Sequence, residues 1–457
     1  MAIDPTKVRD VVIVVPGIMG SELVDARGNR IWSVSAGALV NAIRTLGKSL
    51  RRLQLPAGIG DNRPDDGVSA TALLTSLHVI PGLWSPITGY DGLLNFLRSP
   101  RFQLVEADPR DTRVIPNLIS FPYDWRLSNR FNGRLLTRVA VEALERWRAQ
   151  PGMGEAKLVL ICHSMGGLVA RWFAEQEGGA ELIRALITIG TPHRGALKAL
   201  TNLVNGLEPG IGPLRIPLTE LVRSLPSLYQ MLPQYDCLVS EFGRTRLCKE
   251  PAVGLDARML ADADAFHEAI AGAETLPYEL HKIVGIRQPT PTTARLAGTK
   301  VVPLVEIDDK NQGGDGTVPV LAAEPVAGRG QTVHSIADQH GELQGTRSLL
   351  DLVDGILSRQ NIIWQAAVPS AFGVEMADVW STEQEPSLQV TDRQNRLLVT
   401  LRDEEDRQVL GPMPVPPEGK FNFGRLPEGG YRAFVASPNP DGPSPVTKPF
   451  LVMEPAE

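Results

Sequence analysis

The stretch LVLICHSMGGLVARWF, residues 158–173, limits what this chain can fold into more than any other. Leu158–Ile161 has the length and apolar character of a fully buried strand, and GGLVARWF beyond it reads as a helix. Only four residues, Cys162 to Met165, are left to turn one into the other. A strand that turns this sharply into a helix fits a helix-covered, mainly parallel sheet and holds the residue at its apex, Ser164, in a strained conformation. The flanking positions must be small because strand and helix touch there. Gly166 meets that need, while Cys162 stands where a glycine is usual. Cysteine is among the smaller substitutes, so the turn survives some crowding. Its place at the strand end, two residues before the apex, marks Cys162 as a small buried hydrophobe rather than a nucleophile.

The rest of the chain agrees with such a sheet. Strand-like runs VVIVV (11–15), KLVLI (157–161), ALITI (185–189) and KIVGI (282–286) alternate with amphipathic stretches such as 134–149. That alternation predicts an α/β architecture with a mainly parallel sheet. After about residue 365 the texture changes to short alternating segments punctuated by Pro and Gly, which predicts a small all-β sandwich. The expected division is residues 1–365, with a lid-like insertion at about 25–90 and a cap insertion at about 196–280, followed by an accessory β-domain at 366–457. A net charge of −6 leaves no basic footprint for nucleic acid. No apolar run approaches the roughly 20 residues of a membrane-spanning helix. The start, MAIDPTKVRDVVIVVPG, reads as a first strand rather than a signal peptide. Three cysteines without metal-ligand spacing fit a reducing, cytoplasmic setting with no metal and no cofactor.

A serine at such an apex becomes a nucleophile only with a base and an orienting acid, which on this architecture follow it in the order Ser, Asp/Glu, His. Of seven histidines, five lie before Ser164 or before the acid candidate Asp315 in GGDGTVPV. His334 sits within a strand-like run, whereas His340 lies beyond it in a polar loop followed by Gly341. The expected triad is therefore Ser164, Asp315 and His340. Read as an EF-hand loop from Asp309, the acidic segment has Gly313 and Val320 where oxygen ligands are required, so calcium is not supported. Acyl transfer also needs two N–H donors for the developing oxyanion. Met165, next to the serine, supplies one; Ile18, in the loop PGIMG after VVIVV, supplies the other because Gly17 and Gly20 free its backbone.

VVPGIMGSEL, FPYDWR (121–126), CHSMGG, LPSLYQMLP (225–233), GDGTVP (314–319) and QHG (339–341) occur in this order over most of residues 9–350. In this the chain resembles the lecithin:cholesterol acyltransferase family, α/β-hydrolases that include lysosomal phospholipases and phospholipid:diacylglycerol acyltransferases. The resemblance implies an enzyme that hydrolyses or transfers the acyl groups of lipid esters. It matches Ser164, Asp315 and His340 to the family's triad and Ile18 and Met165 to its oxyanion donors. Asp124, Trp125 and Arg126 read as scaffold, a buried aromatic beside an ion-paired arginine.

Two inserted regions are expected to handle lipid. In ALVNAIRTLGKSLRRLQL (38–55), Leu39, Val40, Ile43, Leu46, Leu50 and Leu53 share one helical face and Arg44, Lys48, Arg51 and Arg52 the other. Such a helix lies on an anionic membrane surface or packs on its own domain. The second region, rich in Leu and Pro, is expected to cap the site. The expectation is thus a cytoplasmic serine carboxylester hydrolase or O-acyltransferase, with a protein partner for the β-domain as a further role. The alternatives are a partner-recruited lipase-like effector and a non-catalytic binding module on the same fold.

Overall fold

The structure is a computed structural model and describes residues 8–32, 52–75, 87–108, 111, 113–207, 218–241, 243–247, 253–271, 275–324, 329–359, 372–391, 396–439 and 442–454. Most of the basic amphipathic stretch 38–55 and the expected boundary at residue 365 lie outside the described residues.

Among the described residues six strands form the central sheet: β1 (Val11–Val15), β2 (Leu118–Ser120), β3 (Leu158–His163), β4 (Ile183–Ile189), β5 (Thr275–Gly285) and β6 (Arg329–Ile336). Their spatial order is β6-β5-β4-β3-β1-β2, and every pairing is parallel. A parallel sheet is covered on both faces, which is why β1, and β3 as far as Cys162, are apolar at every position rather than alternately. Val11, Ile13 and Val15 face a core shared with Leu136, Ala140 and Leu144 of the helix Asn129–Arg148 and with Leu168 and Val169 of the helix Gly166–Gln176. Val12 and Val14 face the other layer, where Leu93 and Leu94 meet Leu349, Leu352 and Val353 of the helix Arg347–Ser358. Both long flanking helices start on side-chain caps: Ser128 Oγ accepts the Phe131 N–H and Thr346 Oγ1 accepts the Leu349 N–H.

Among the described residues four α-helices lie between β4 and β5, Leu197–Asn205, Thr219–Arg223, Pro226–Tyr229 and Ala257–Ala269, and no described strand of this region joins the central sheet. The segment PSLYQMLP is bound into this region: Gln230 Oε1 accepts the Asn129 N–H, and Met231 O accepts the Ala196 N–H. The YDWR segment is structural. Arg126, fully buried, donates to both oxygens of Asp124 at 2.9 and 2.7 Å and to Asp66 at 2.8 Å. Trp125 packs edge-on against Trp32.

Beyond residue 372 the described residues form strands joined by turns, with no helix among them. A three-stranded sheet holds Gly373–Glu375, Ser387–Thr391 and Lys420–Asn422, and a five-stranded sheet holds Val379–Ser381, Val446–Met453, Gly429–Ala436, Leu398–Asp403 and Gln408–Pro414. They enclose their own core of Val374, Leu388, Val399, Phe421, Val435 and Phe450 among others. Strand Val446–Met453 is buried on both sides: Phe450 and Val452 face that core, while Leu451 joins the core of the α/β region.

Candidate active site

The residues singled out from sequence come from the C-terminal ends of parallel strands, where open α/β sheets bind ligands. Ile18 follows β1, Ser164 follows β3, Asp315 lies in the loop after β5 and His340 follows β6. At the apex Ser164 has φ of 51°, a left-handed conformation that a non-glycine residue adopts at a cost. The turn is held on every side. The Ser164 N–H donates to Ile189 O at 2.7 Å, and Ser164 O accepts Gly167 N–H and Thr191 Oγ1–H. A Cβ on Gly166 would lie 2.4 Å from Pro16 O, so glycine is required where the helix leaves the strand. Cys162 is fully buried between its partners Val15 and Thr188, and burial pushes its thiol well above its ordinary pKa. A thiol in that state is a poor nucleophile. Cys162→Gly is therefore expected to retain ester turnover while losing about 1–3 kcal/mol of stability to the void and the freer backbone. Parallel turnover and denaturant titrations check this; lost turnover at unchanged stability would return the thiol to the chemistry.

The three triad candidates meet. His340 Nε2 lies 2.8 Å from Ser164 Oγ, and His340 Nδ1 lies 2.7 Å from Asp315 Oδ2. A carboxylate only accepts, so the Nδ1 facing it carries the ring proton and Nε2 is left to accept from the serine. Asp315 Oδ1 accepts two backbone N–H groups, Thr317 at 2.9 Å and Val318 at 2.7 Å. These fix the carboxylate so that Oδ2 alone faces the imidazole. Gly190 makes room: a Cβ there would sit 3.0 Å from both Asp315 Oδ2 and His340 Nδ1. All three side chains are buried, which strengthens each hydrogen bond by excluding water.

The loop after β1 passes close over the serine. A Cβ on Gly17 would approach Ser164 Cβ to 2.8 Å. Met19 has φ of 62°, and Trp32 Nε1–H donates to its carbonyl at 2.8 Å, fixing the turn that presents Ile18. Met165 opens the helix Gly166–Gln176, so its N–H belongs to the positive end of that helix.

A buried polar chain that sequence reasoning missed links these parts. Gly17 N–H donates to Tyr90 Oη at 2.8 Å, Tyr90 Oη lies 2.9 Å from His163 Nδ1, and His163 Nε2 lies 3.0 Å from His340 O. The His340 carbonyl requires a proton on Nε2, so Nδ1 accepts from the phenol, and the directions run consistently from end to end. The sequence signal was the histidine beside the serine. Nothing in the sequence marks Tyr90 as its partner, 73 positions away. Among the described residues no group of three or more potential ligands could hold a metal ion.

A sequence model described as lecithin:cholesterol acyltransferase matches residues 113–256. That stretch contains Ser164 but neither Asp315 nor His340. The chain is 32% identical over 128 residues to a phospholipase A(1) named LCAT3 of Arabidopsis thaliana, covering 26% of this chain and 28% of that protein. It is 30% identical over 124 residues to lecithin-cholesterol acyltransferase-like 4 of the same plant, covering 25% of this chain and 22% of that protein. The matches thus span less than a third of these relatives' lengths. A solved structure titled the Tle4-Tli4 complex superposes with a TM-score of 0.51 at 14% identity, covering 76% of this chain and 97% of that one. That likeness is one of fold. Sheet order, elbow and structural likeness give the chain an α/β-hydrolase fold, and the stretch around Ser164 is similar in sequence to the lecithin:cholesterol acyltransferase family.

Proposed function

We propose that the chain is a serine carboxylester hydrolase or acyltransferase that works on lipid esters through an acyl-enzyme. The observation that carries this reading is the unbroken hydrogen-bonded line from Asp315 through His340 to Ser164, at 2.7 and 2.8 Å. His340 Nε2 takes the Ser164 proton as Oγ attacks the ester carbonyl, and Asp315 stabilises the imidazolium that forms. The Ile18 and Met165 N–H groups receive the oxyanion. As the tetrahedral intermediate collapses, His340 returns the proton to the leaving alcohol. A water or a second alcohol then loses its proton to His340 and releases the acyl group. Both acceptors use the same groups, so hydrolysis and transfer differ in what the acyl pocket admits. The lipid class is supported by the names of the relatives, one of them a phospholipase A(1).

The test is incubation with phosphatidylcholine or phosphatidylglycerol vesicles, with and without an added sterol or diacylglycerol. The expected result is fatty acid release, or acyl ester formed on the added alcohol, absent from the Ser164→Ala protein. A folded wild-type protein that leaves these lipids and short soluble esters intact would contradict the reading.

A further inference from the structure

The three residues around the base, Asp338, Gln339 and the distant Gln288, are all buried, and each is bonded to the C-terminal sheets. Gln339 Nε2–H donates to Gln288 Oε1 at 2.9 Å and to Val374 O at 3.2 Å. Val374 N–H donates to Gln288 Oε1 at 3.1 Å. The backbone of strand Gly373–Glu375 is thus capped on its free edge by two glutamine side chains. Gln288 N–H in turn donates to Gly314 O, one residue before Asp315. A Cβ on Gly316 would lie 2.7 Å from Gln339 Oε1, so the acid loop rests directly on this glutamine. Asp338 Oδ1 accepts the Gln339 N–H at 2.8 Å and the Thr447 N–H at 3.1 Å, tying the base loop to strand Val446–Met453.

The attachment of those sheets is itself fixed at independent points. Asp378 binds Lys448 at 2.7 Å and faces Lys198 of the helix Leu197–Asn205 at 3.7 Å. A Cβ on Gly373 would lie 2.8 Å from Arg287 O, and Leu451 is buried in the core of the α/β region.

We propose that the C-terminal sheets brace the catalytic loops, with Gln288, Gln339 and Asp338 as positioning residues that hold His340 and Asp315 in register with Ser164. The proposal rests on the triad reading above. None of the three touches the reacting atoms. They act through the loops they hold: the His340 N–H donates to Asp315 O at 2.8 Å, so the two loops are joined at the backbone next to the glutamine pair. A region that lies outside the family's expected core is in this way part of the catalytic unit. Burial pushes the Asp338 carboxyl up to about 7, so a neutral group of the same shape meets its two donors equally well. The acceptor oxygen, not the charge, carries its role.

The experiment uses the full chain and a short soluble ester, with active sites counted by fluorophosphonate labelling. Gln339→Leu is expected to lower kcat per labelled serine about a hundredfold, the cost of displacing catalytic groups by roughly 1 Å, with KM within about twofold. Asp338→Asn is expected to keep wild-type kcat, and Asp338→Ala to lose at least about tenfold. A Gln339→Leu protein that melts lower but turns over normally per labelled site would overturn the brace, leaving a purely structural contact. Should that variant fail to fold, the Asp338 pair decides, and equal loss in Asn and Ala, or loss in neither, overturns it. A wild-type protein that takes no label refutes the triad reading itself, a result distinct from any of these.

Discussion

Ser164→Ala is expected to lower ester turnover by on the order of a millionfold, with an unfolding free energy within about 1 kcal/mol of the wild type. The two halves of that expectation come from different atoms. The Ser164 backbone holds the elbow through its bonds to Ile189, Gly167 and Thr191, and none of these involves Oγ. Alanine keeps the same Cβ at φ of 51°, so the strain of the turn is unchanged. What disappears is the one oxygen 2.8 Å from His340 Nε2, and with it the atom that attacks. Substrate contacts elsewhere in the site are untouched, so KM is expected to move far less than kcat. Turnover of a chromogenic ester, paired with a denaturant titration, reads both. Turnover near the wild-type rate would remove Ser164 from the chemistry whatever its geometry.

Asp315→Asn is expected to cost about 10⁴-fold in kcat without loss of fold. Thr317 and Val318 N–H groups both point at Oδ1, and an asparagine satisfies them only by placing its carbonyl oxygen there. Its NH₂ then occupies the Oδ2 position, 2.7 Å from His340 Nδ1. Two donors cannot face each other, so the imidazole shifts its proton to Nε2 and offers Ser164 a donor where an acceptor is needed. The substitution changes a tautomer and little else. Steady-state kinetics check it, and a loss of tenfold or less would mean that Asp315 orients the ring without setting its protonation.

The triad candidates were legible because their chemistry leaves marks in one dimension. A sharp turn demands small residues beside Ser164, and the order of acid and base eliminates all but two histidines. The same holds for β1 and for Leu158–Cys162 of β3, whose continuous apolar runs follow from burial on both faces, and in shorter stretches for Ala185–Ile187 of β4 and Ile283–Gly285 of β5. The polar segment carrying His340 reads as an open loop, yet the structure buries Asp338, Gln339 and His340, because their polar groups bind one another and the C-terminal sheets instead of water. Contacts of that kind join residues far apart in the chain: Asp338 and Thr447 are separated by 109 positions, and neither residue type announces the pairing. His163 precedes the serine and so lies outside the order of acid and base, yet it occupies the centre of the hydrogen-bonded line from Gly17 to His340. Among the described residues no helix is long and apolar enough to cross a membrane.

The central claim, an activated serine at residue 164, is tested most directly by reacting the folded protein with a fluorophosphonate and locating the adduct by peptide mass spectrometry. The reagent forms a stable bond only with a serine whose proton is taken by a neighbouring base and whose phosphoryl oxygen is met by oxyanion donors. The account predicts a single adduct on the peptide that carries Ser164, absent from Ser164→Ala and strongly slowed in Asp315→Asn. A folded wild-type protein that takes no label, or labels at Cys162 or another side chain instead, would contradict it.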